Sequence, residues 1–278
     1  MAMNILTPEK LHELAPAVFA TQPDEGVSER YGFVPTIEVV DALKDQGWYP
    51  VRALQTNVRD RNKRHLAKHM IRFRQEPDRQ IQVGDCLAEV VLTNSHDRSS
   101  AYQLDLGLFR LACENGMVTR TGDLGGIRVK HGRHIVEHII EGTINLTHQV
   151  PKISESVDHF RSTLVSKEEA RLYAKAALSL RYGEDWVYSS PVRPEDLLQV
   201  RRIDDHESSL WKVFNRVQEN MMKGGILGRS QTGRNVRTRA IHSVTEDVKL
   251  NRALWMLTDE FAKLKDGQIN HLALPQVA

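Results

Sequence analysis

The residue types best able to do chemistry stand at His134, Glu137 and His138, which fit the pattern H-x-x-E-H. In that pattern two histidines hold zinc and the glutamate activates a water molecule. Zinc would need a third ligand from a later segment, and the isoleucines and valine of 135–140 compete for the buried side of the same helix. The sequence therefore favours a surface helix, predicts no bound metal and no cofactor, and leaves a zinc-dependent hydrolase as an alternative.

A second group of reactive side chains lies in the string NSHDRSS, which contains His96, Asp97 and Ser99. Catalytic triads assemble from distant segments, so neighbours in the chain do not make one. Asn94, Ser95 and Asp97 are typical of turns, where they accept hydrogen bonds from their own backbone. We expect a turn between two strands here.

Basic residues are concentrated between positions 52 and 79, where nine arginines and lysines face only three acids. The central part fits an amphipathic helix with Arg64, Lys68 and Arg72 along one side, and it fits a long charged hairpin equally well. In either arrangement the positive charge projects outward. Such a surface binds phosphates through counterion release, without sequence preference.

The stretch GGILGRSQTGRNVRTRAIHS, residues 224–243, contains four arginines, four glycines and no acid. A Walker phosphate loop requires G-x-x-x-x-G-K-[ST] after a strand, whereas here Gly228 is followed by Arg229 and Ser230, and a helix precedes it. Arginine forks pair well with the phosphates of a nucleic-acid backbone. The stretch is predicted to be a linker between two helices that contacts phosphates, with a solvated, disordered loop as the alternative.

These two basic segments, with a basic strand around residue 128, give the predicted phosphate contacts. Their role is to position the nucleic-acid backbone, not to read bases. The predicted residues are Arg59, Arg61, Lys63, Arg64, Lys68, Arg72, Arg74, Arg128, Lys130, Arg229, Arg234, Arg237 and Arg239.

Hydrophobic periodicity predicts the elements that carry these side chains. From residue 48 to 150 the pattern has period two; in AYQLDLGLF, Tyr102, Leu104 and Leu106 alternate with polar residues, which predicts an antiparallel sheet with arginine and lysine on its wet face. After residue 150 the apolar residues are spaced three and four apart, as in packed helices. We predict an α+β fold with a sheet-containing region over 1–150, a helical region over 151–267 and a flexible tail over 268–278.

Composition places the chain among globular proteins of the cytoplasm. It has 278 residues, 40% hydrophobic residues and a formal net charge of +2. Two cysteines among apolar neighbours are typical of reduced, packed thiols. No stretch approaches the ~18 apolar residues of a membrane span, so we expect no membrane association.

Several strings resemble one family when taken in order: SERYGFVPT, GWYPVRA, AKHMIRFR, NSHDRSSAYQLDLGLFRLACENGMV and TRAIHSVTEDVKLNRALW. They are similar to phage- and plasmid-borne proteins that carry the domain of unknown function number 932, over roughly residues 15 to 257. The resemblance implies a setting near recombination and anti-defence genes, and no activity. Where the family commonly has glycine after Asn-Ser-His-Asp, this chain has Arg98, which puts a turn with positive φ in doubt.

The function predicted from these observations is that of a non-enzymatic DNA-binding protein of a mobile element. Its outline is similar to that of phage single-strand annealing proteins, which implies single-stranded DNA as partner, strand annealing in recombination and assembly as a homo-oligomer. An anti-defence protein that binds a host protein is the alternative from another class.

Overall fold

The computed structural model describes residues 3–26, 32–111, 115–119, 126–129 and 134–267, which form two compact units. Unit 1 contains the described residues up to Ile153 together with His242–Lys249, and unit 2 contains Ser154–Ile241 and the described residues from Leu250 onward. Residues 242–249 group with the first unit, which no local pattern in the sequence indicates. The predicted flexible tail lies outside the described residues.

The fold is α+β, as predicted, with an antiparallel sheet region followed by a helical half. The α-helices are α1 (Pro8–Leu14), α2 (Thr36–Asp45), α3 (Ile135–Thr147), α4 (Val150–Ser162), α5 (Lys167–Tyr182), α6 (Trp186–Ser189), α7 (Pro194–Leu197), α8 (Leu210–Lys223) and α9 (Val244–Lys265). The strands are β1 (Trp48–Gln55), β2 (His69–Gln75), β3 (Gln82–Val83), β4 (Cys86–Asn94), β5 (Tyr102–Arg110), β6 (Asn115–Val118), β7 (Ile127–Val129), β8 (Leu227–Arg229) and β9 (Asn235–Arg237). Within the described residues, no helix has the length and apolar character needed to cross a bilayer.

The sheet of unit 1 is antiparallel, in the order β1-β2-β4-β5-β6, with β3 beside β4 and β7 beside β5. One face is apolar and packs against helices, α2 on β1 and α3 on β5. The helix α3 approaches closely because it carries Gly142, where a Cβ would lie 2.9 Å from Leu104. The prediction that the apolar residues of β5 lie on one buried face of a strand is therefore confirmed.

The second face of this sheet is covered in part by the first turns of α9. Met70, Val91 and Val118 from the sheet pack with Val244 and Val248 from the helix. This face was predicted to be wet and basic, and that prediction is wrong for Arg72 and Arg74, which pair with Glu89 on it, whereas Arg128 at its edge is exposed.

The basic segment 52–79 contains no long helix. It consists of the paired strands β1 and β2, in which Arg52 lies opposite Arg72, and of a 3₁₀ turn at Arg61–Leu66 that follows β1. The predicted helical face of Arg64, Lys68 and Arg72 does not exist, and the hairpin interpretation is the closer one. Strand alternation is the reason, because it turns alternate residues of HMIRFRQ to opposite faces of the sheet.

Unit 2 is helical around an aromatic core. Phe160 and Trp255 have ring centroids 5.4 Å apart, and Trp211 stacks on Phe214 at 5.5 Å. A capping box begins α5, with reciprocal hydrogen bonds between Ser166 and Glu169. These helices form the support for β8 and β9.

Candidate nucleic-acid interface

The arginine-rich stretch folds into a β-hairpin, which we call the arginine hairpin (residues 224–239). Strands β8 and β9 are antiparallel, with Leu227 opposite Arg237 and Arg229 opposite Asn235. The turn closes through hydrogen bonds from the amide of Ser230 to the carbonyl of Arg234 (2.9 Å) and from the amide of Arg234 to Ser230 Oγ (3.1 Å). Gly233 supplies the positive φ of +77° that the turn requires. The sequence predicted only a linker here.

Backbone contacts fix the base of the arginine hairpin. The amide of Gly225 donates to the carbonyl of Thr238 at 2.8 Å, and the hydroxyl of Thr238 accepts from the amide of Ile226 at 3.1 Å. A Cβ at Gly224, whose φ is +61°, would lie 2.6 Å from the backbone of Arg239. The guanidinium of Arg181 donates to the carbonyls of Met221 and Arg239. The hairpin therefore has a defined position on α8.

All predicted arginines of this hairpin are exposed: Arg229, Arg234, Arg237 and Arg239. None forms an ion pair with a carboxylate of the described residues, and only Arg237 uses its guanidinium internally, donating to the carbonyl of Gly225 at 2.8 Å. Arginine stays charged at every physiological pH. The hairpin thus presents four uncompensated cations on one small, rigid element.

The hairpin lies beside the segment 186–193, which contains α6. The amide of Arg229 donates to the carbonyl of Pro191 at 2.8 Å, and Gln231 Nε2 donates to the carbonyl of Tyr188 at 2.9 Å. Gly228 permits this approach, since a Cβ there would lie 2.1 Å from the Pro191 carbonyl oxygen. One arginine of the hairpin is thereby held at the edge of a groove.

That groove, which we call the aromatic groove, has a volume of about 740 Å³. It is lined by Glu168, Arg171, Leu172, Lys175, Trp186, Val187, Ser190, Pro191, Val192, Arg193, Pro194, Glu195 and Arg229. Sequence reasoning missed it. The available signal was a pair of aromatic residues, at 186 and 188, in a short polar segment outside any helical apolar stripe.

Charge in the aromatic groove is predominantly positive. Arg171 forms an ion pair with Glu195 on its surface. The pKa of Glu195 is lowered, first by its own backbone N–H at the start of α7 and further by Arg171. Lys175 and Arg193, in contrast, have no ion pair with a described carboxylate. With Arg171 and Arg229 they give the wall four cations against the two carboxylates Glu168 and Glu195, and the charge of Arg193 also lowers the pKa of Glu195.

In unit 1, Arg72 was predicted to grip phosphate, and the structure contradicts this. Its side chain is 1% exposed; Nη1 donates to Glu89 Oε2 at 3.0 Å and to the Met117 carbonyl at 3.1 Å, and Nη2 lies 3.5 Å from Asp247 Oδ1. A Cβ at Gly116 would lie 2.6 Å from this guanidinium. Arg72 is therefore a buried structural cation on the sheet face beneath α9.

Arg74 is also mostly buried and paired with an acid. Its Nε donates to Glu89 Oε1 at 2.7 Å, its guanidinium carbon lies 3.4 Å from the centroid of Phe109, and 14% of its side chain is exposed. Residues 72 and 74 share a face because strand positions two apart point the same way. Glu89 on the neighbouring strand accepts from both, which explains why neither guanidinium is free for a ligand.

Several of the other predicted cations of unit 1 lie on or just before the 3₁₀ turn at Arg61–Leu66. Lys63 is paired with Asp24 at 3.2 Å, and Lys68, after the turn, lies 3.4 Å from the hydroxyl of Thr245. Arg59, Arg64 and Arg128 are exposed. The side chain of Arg61 and all of Lys130 lie outside the described residues. Within the described members of this set, the turn therefore presents fewer unpaired cations than the arginine hairpin does.

The H-x-x-E-H residues lie at the solvent-facing start of α3. The side chains of His134, Glu137 and His138 are 74%, 69% and 61% exposed, and the nearest His–Glu contact in the motif is 3.7 Å. In the described part of the chain, no three His, Cys, Asp or Glu side chains converge as a metal site requires. The buried isoleucines Ile135 and Ile139 set this orientation. The geometry gives the zinc alternative no support.

The turn predicted at residues 94–100 is present. Asp97 Oδ1 accepts from the amide of Ser99 at 2.9 Å, and Ser95 Oγ accepts from the amide of Ser100 at 2.8 Å. Arg98 adopts the positive φ of +69° that the sequence put in doubt. Its guanidinium donates to the Gly26 carbonyl at 2.7 Å and lies 3.6 Å from Asp24, contacts that hold the left-handed conformation.

Sequence reasoning missed a buried polar cluster next to this turn. Thr36 is the first residue of α2, and its hydroxyl contacts His69 Nε2 at 3.0 Å, His96 Nε2 at 3.1 Å, Tyr102 OH at 3.2 Å and Asn94 Nδ2 at 3.2 Å. Burial lowers the pKa of His69 to about 4, although the Ala67 carbonyl and Asp97 oppose the shift. These hydrogen bonds connect α2 to the sheet.

Comparison with known proteins supplies a family. The model of a domain of unknown function, DUF932, matches residues 25–255, and the chain belongs to this family. It is 41% identical to UPF0380 protein YafZ and 40% identical to UPF0380 protein YfjQ, both of Escherichia coli strain K12. Each match covers 254 residues, 91% of this chain and 90% of the relative. No solved structure gives a significant match.

Proposed function

We propose that this chain, a member of the DUF932 family, is a non-enzymatic DNA-binding protein that holds single-stranded DNA by its phosphates. One observation carries the proposal. The β-hairpin, which is ordered by backbone hydrogen bonds, exposes four arginines that have no carboxylate partner among the described residues: Arg229, Arg234, Arg237 and Arg239. The phosphate contacts are thereby assigned mainly to unit 2. Arg59, Arg64 and Arg128 are secondary candidates in unit 1.

The physical basis is charge complementarity on a preorganised element. Four like charges on one hairpin repel one another, which is unfavourable unless an anion neutralises them. A phosphate chain does so bidentately and releases its condensed counterions. Because backbone hydrogen bonds fix the hairpin before binding, little ordering entropy is lost on association.

A biological role follows as part of the same proposal. Strand annealing in the recombination of phages or plasmids requires a protein that holds a strand along many nucleotides. A homo-oligomer achieves this by placing several arginine hairpins on one strand, since linked contacts raise the overall affinity without new interactions. Such a role places the protein in the cytoplasm with its DNA.

The test is a salt titration of binding to an oligo-dT strand, measured by fluorescence anisotropy. The variant Arg229→Gln/Arg234→Gln/Arg239→Gln removes three charges and breaks no side-chain hydrogen bond of the described residues. We expect its affinity to fall roughly 30-fold near 0.1 M salt and the log–log salt slope to decrease by about 2, since each phosphate contact contributes ~0.7. Its unfolding midpoint should stay unchanged.

The control variant Arg161→Gln/Lys167→Gln/Lys249→Gln removes the same number of charges from exposed positions outside the hairpin. It should bind almost as the parent protein does. Equal losses in the two variants would mean that only net charge matters. An affinity of the parent that ignores salt would contradict phosphate binding altogether.

A further inference from the structure

The aromatic groove carries large apolar side chains that are exposed to solvent. Leu172 and Val187 line it with 61% and 65% of their surface exposed, and Tyr188, next in the chain, is 75% exposed. Large exposed apolar side chains that cluster beside polar ones mark interaction sites. The uncompensated cations of the same wall indicate that the occupant is apolar in part and anionic in part.

Trp186 distinguishes this groove from the rest of the molecule. Of the four tryptophans, Trp48 is 4% exposed and Trp211 and Trp255 are fully buried, all within cores. Trp186 alone is half-buried and lines a groove. An indole in such a wall offers a flat surface to a planar ligand.

We propose that the aromatic groove is the base-binding site of a single strand, with bases stacked on Trp186 and phosphates held by Arg193 and Arg229. This inference rests on the proposed function and deepens it. The hairpin arginines account for affinity to any phosphate chain, but not for a preference between single strands and duplexes. The groove explains a preference for unpaired strands. In a duplex the base faces are already stacked on one another and cannot enter.

The dimensions and charges of the groove agree with this ligand. A volume of about 740 Å³ lies within the range of small-molecule sites, ~300–1,000 Å³, and therefore accommodates one or two nucleotides. Arg171 neutralises Glu195, so that carboxylate does not repel the incoming phosphates strongly. Lys175 remains on the wall as a further cation. A nucleotide has a planar ring that complements the indole of the groove and an adjacent anion that complements its cations.

The experiment compares two ligands with the same backbone charge, an oligo-dT strand and an abasic oligonucleotide of equal length. Trp186 is itself the reporter, since the other tryptophans are buried. We expect oligo-dT to quench tryptophan fluorescence of the parent protein and the abasic strand to leave it nearly unchanged. Absence of quenching by oligo-dT would overturn the proposal.

Substitutions then assign the effect to one side chain. Trp186→Ala should weaken oligo-dT binding about tenfold, as expected for the loss of one stacked base, and leave affinity for the abasic strand within twofold. Trp186→Phe keeps a flat ring and should retain most of the affinity while abolishing the quenching. The control Ile203→Ala removes an 88% exposed apolar side chain of unit 2 outside the groove and should change neither.

Failure of this inference differs from failure of the proposed function. If Trp186→Ala binds both strands as the parent does while the hairpin variant binds both weakly, the phosphate function stands and the stacking site is wrong. If the hairpin variant also binds both strands as the parent does, the proposed function itself is wrong.

Discussion

Arg72 in the sheet of unit 1 lies 3.0 Å from Glu89 and is almost excluded from solvent, whereas the arginines of the hairpin in unit 2 face solvent and have no carboxylate partner in the described part of the chain. Both segments look equally basic in the sequence. The difference lies in their partners: strand alternation places Arg72 and Arg74 opposite an acid on the same sheet face, and no acid stands within the hairpin. Local charge density alone therefore does not identify a binding surface.

The largest expected effect comes from removing the buried cation. Arg72→Met leaves Glu89 with one partner fewer and Asp247 without that guanidinium, so the unfolding free energy should fall by about 3 kcal/mol. Urea denaturation followed by circular dichroism measures this. Affinity of the folded variant for oligo-dT should remain within twofold, because the side chain is a structural one.

The matched control is Arg64→Met, which removes an exposed arginine of the same segment and should change stability by less than about 0.5 kcal/mol. If Arg72→Met does not fold, Arg72→Lys retains the charge and should show a smaller loss of stability. A variant at position 72 with parental stability and weakened DNA binding would reverse the roles assigned to the two regions.

Much of the molecule follows from local sequence, and the errors have a common physical cause. The strand alternation at Tyr102–Leu108, the capping box at Ser166 and the exposed hairpin arginines depend on residues close together in the chain. The burial of Arg72 depends on Glu89, 17 positions away, and on Asp247, 175 positions away. Period-two and period-3.6 patterns do not contain such pairings, so the sequence predicts outward-facing charge where Arg72 and Arg74 are in fact paired with Glu89.

The same limit applies to the aromatic groove and to the buried histidines. The groove lined by Trp186 depends on the contact of the hairpin with the segment 186–193, about 40 positions apart in the chain, and no sequence motif indicates that contact. A threonine at the start of a helix is typical of a cap, so the sequence around Thr36 does not indicate its contacts with His69 and His96. At Arg98 the sequence casts doubt on a left-handed turn, and the turn nevertheless forms without glycine. The guanidinium of Arg98 stabilises it by contacting the Gly26 carbonyl and Asp24.

A smaller effect, on the unfolding free energy of unit 1, should appear when the pH is lowered. His69 is buried and its pKa is lowered to about 4, whereas the unfolded chain titrates near 6.5. Its contribution to stability is complete above pH 6.5 and is lost as the pH falls toward 4, because the unfolded state binds the proton first. We expect unit 1 to lose roughly 2 kcal/mol at pH 5.

Thermal unfolding between pH 7 and pH 5 tests this expectation. His69→Gln should reduce the pH dependence, and His65→Gln, at an exposed position of the same unit, should preserve it. His96, whose ring centroid lies 5.6 Å from that of His69, faces the same cluster and is kept unchanged. An unaltered pH dependence in His69→Gln would show that this ring is not the titrating group.

The contrast between the two regions is tested most directly by ultraviolet crosslinking of the unmodified protein to an oligo-dT strand, followed by mass spectrometry of the crosslinked peptides. The account predicts crosslinks in residues 186–193 and in the arginine hairpin, residues 224–239. Crosslinks confined to residues 52–79 would contradict it.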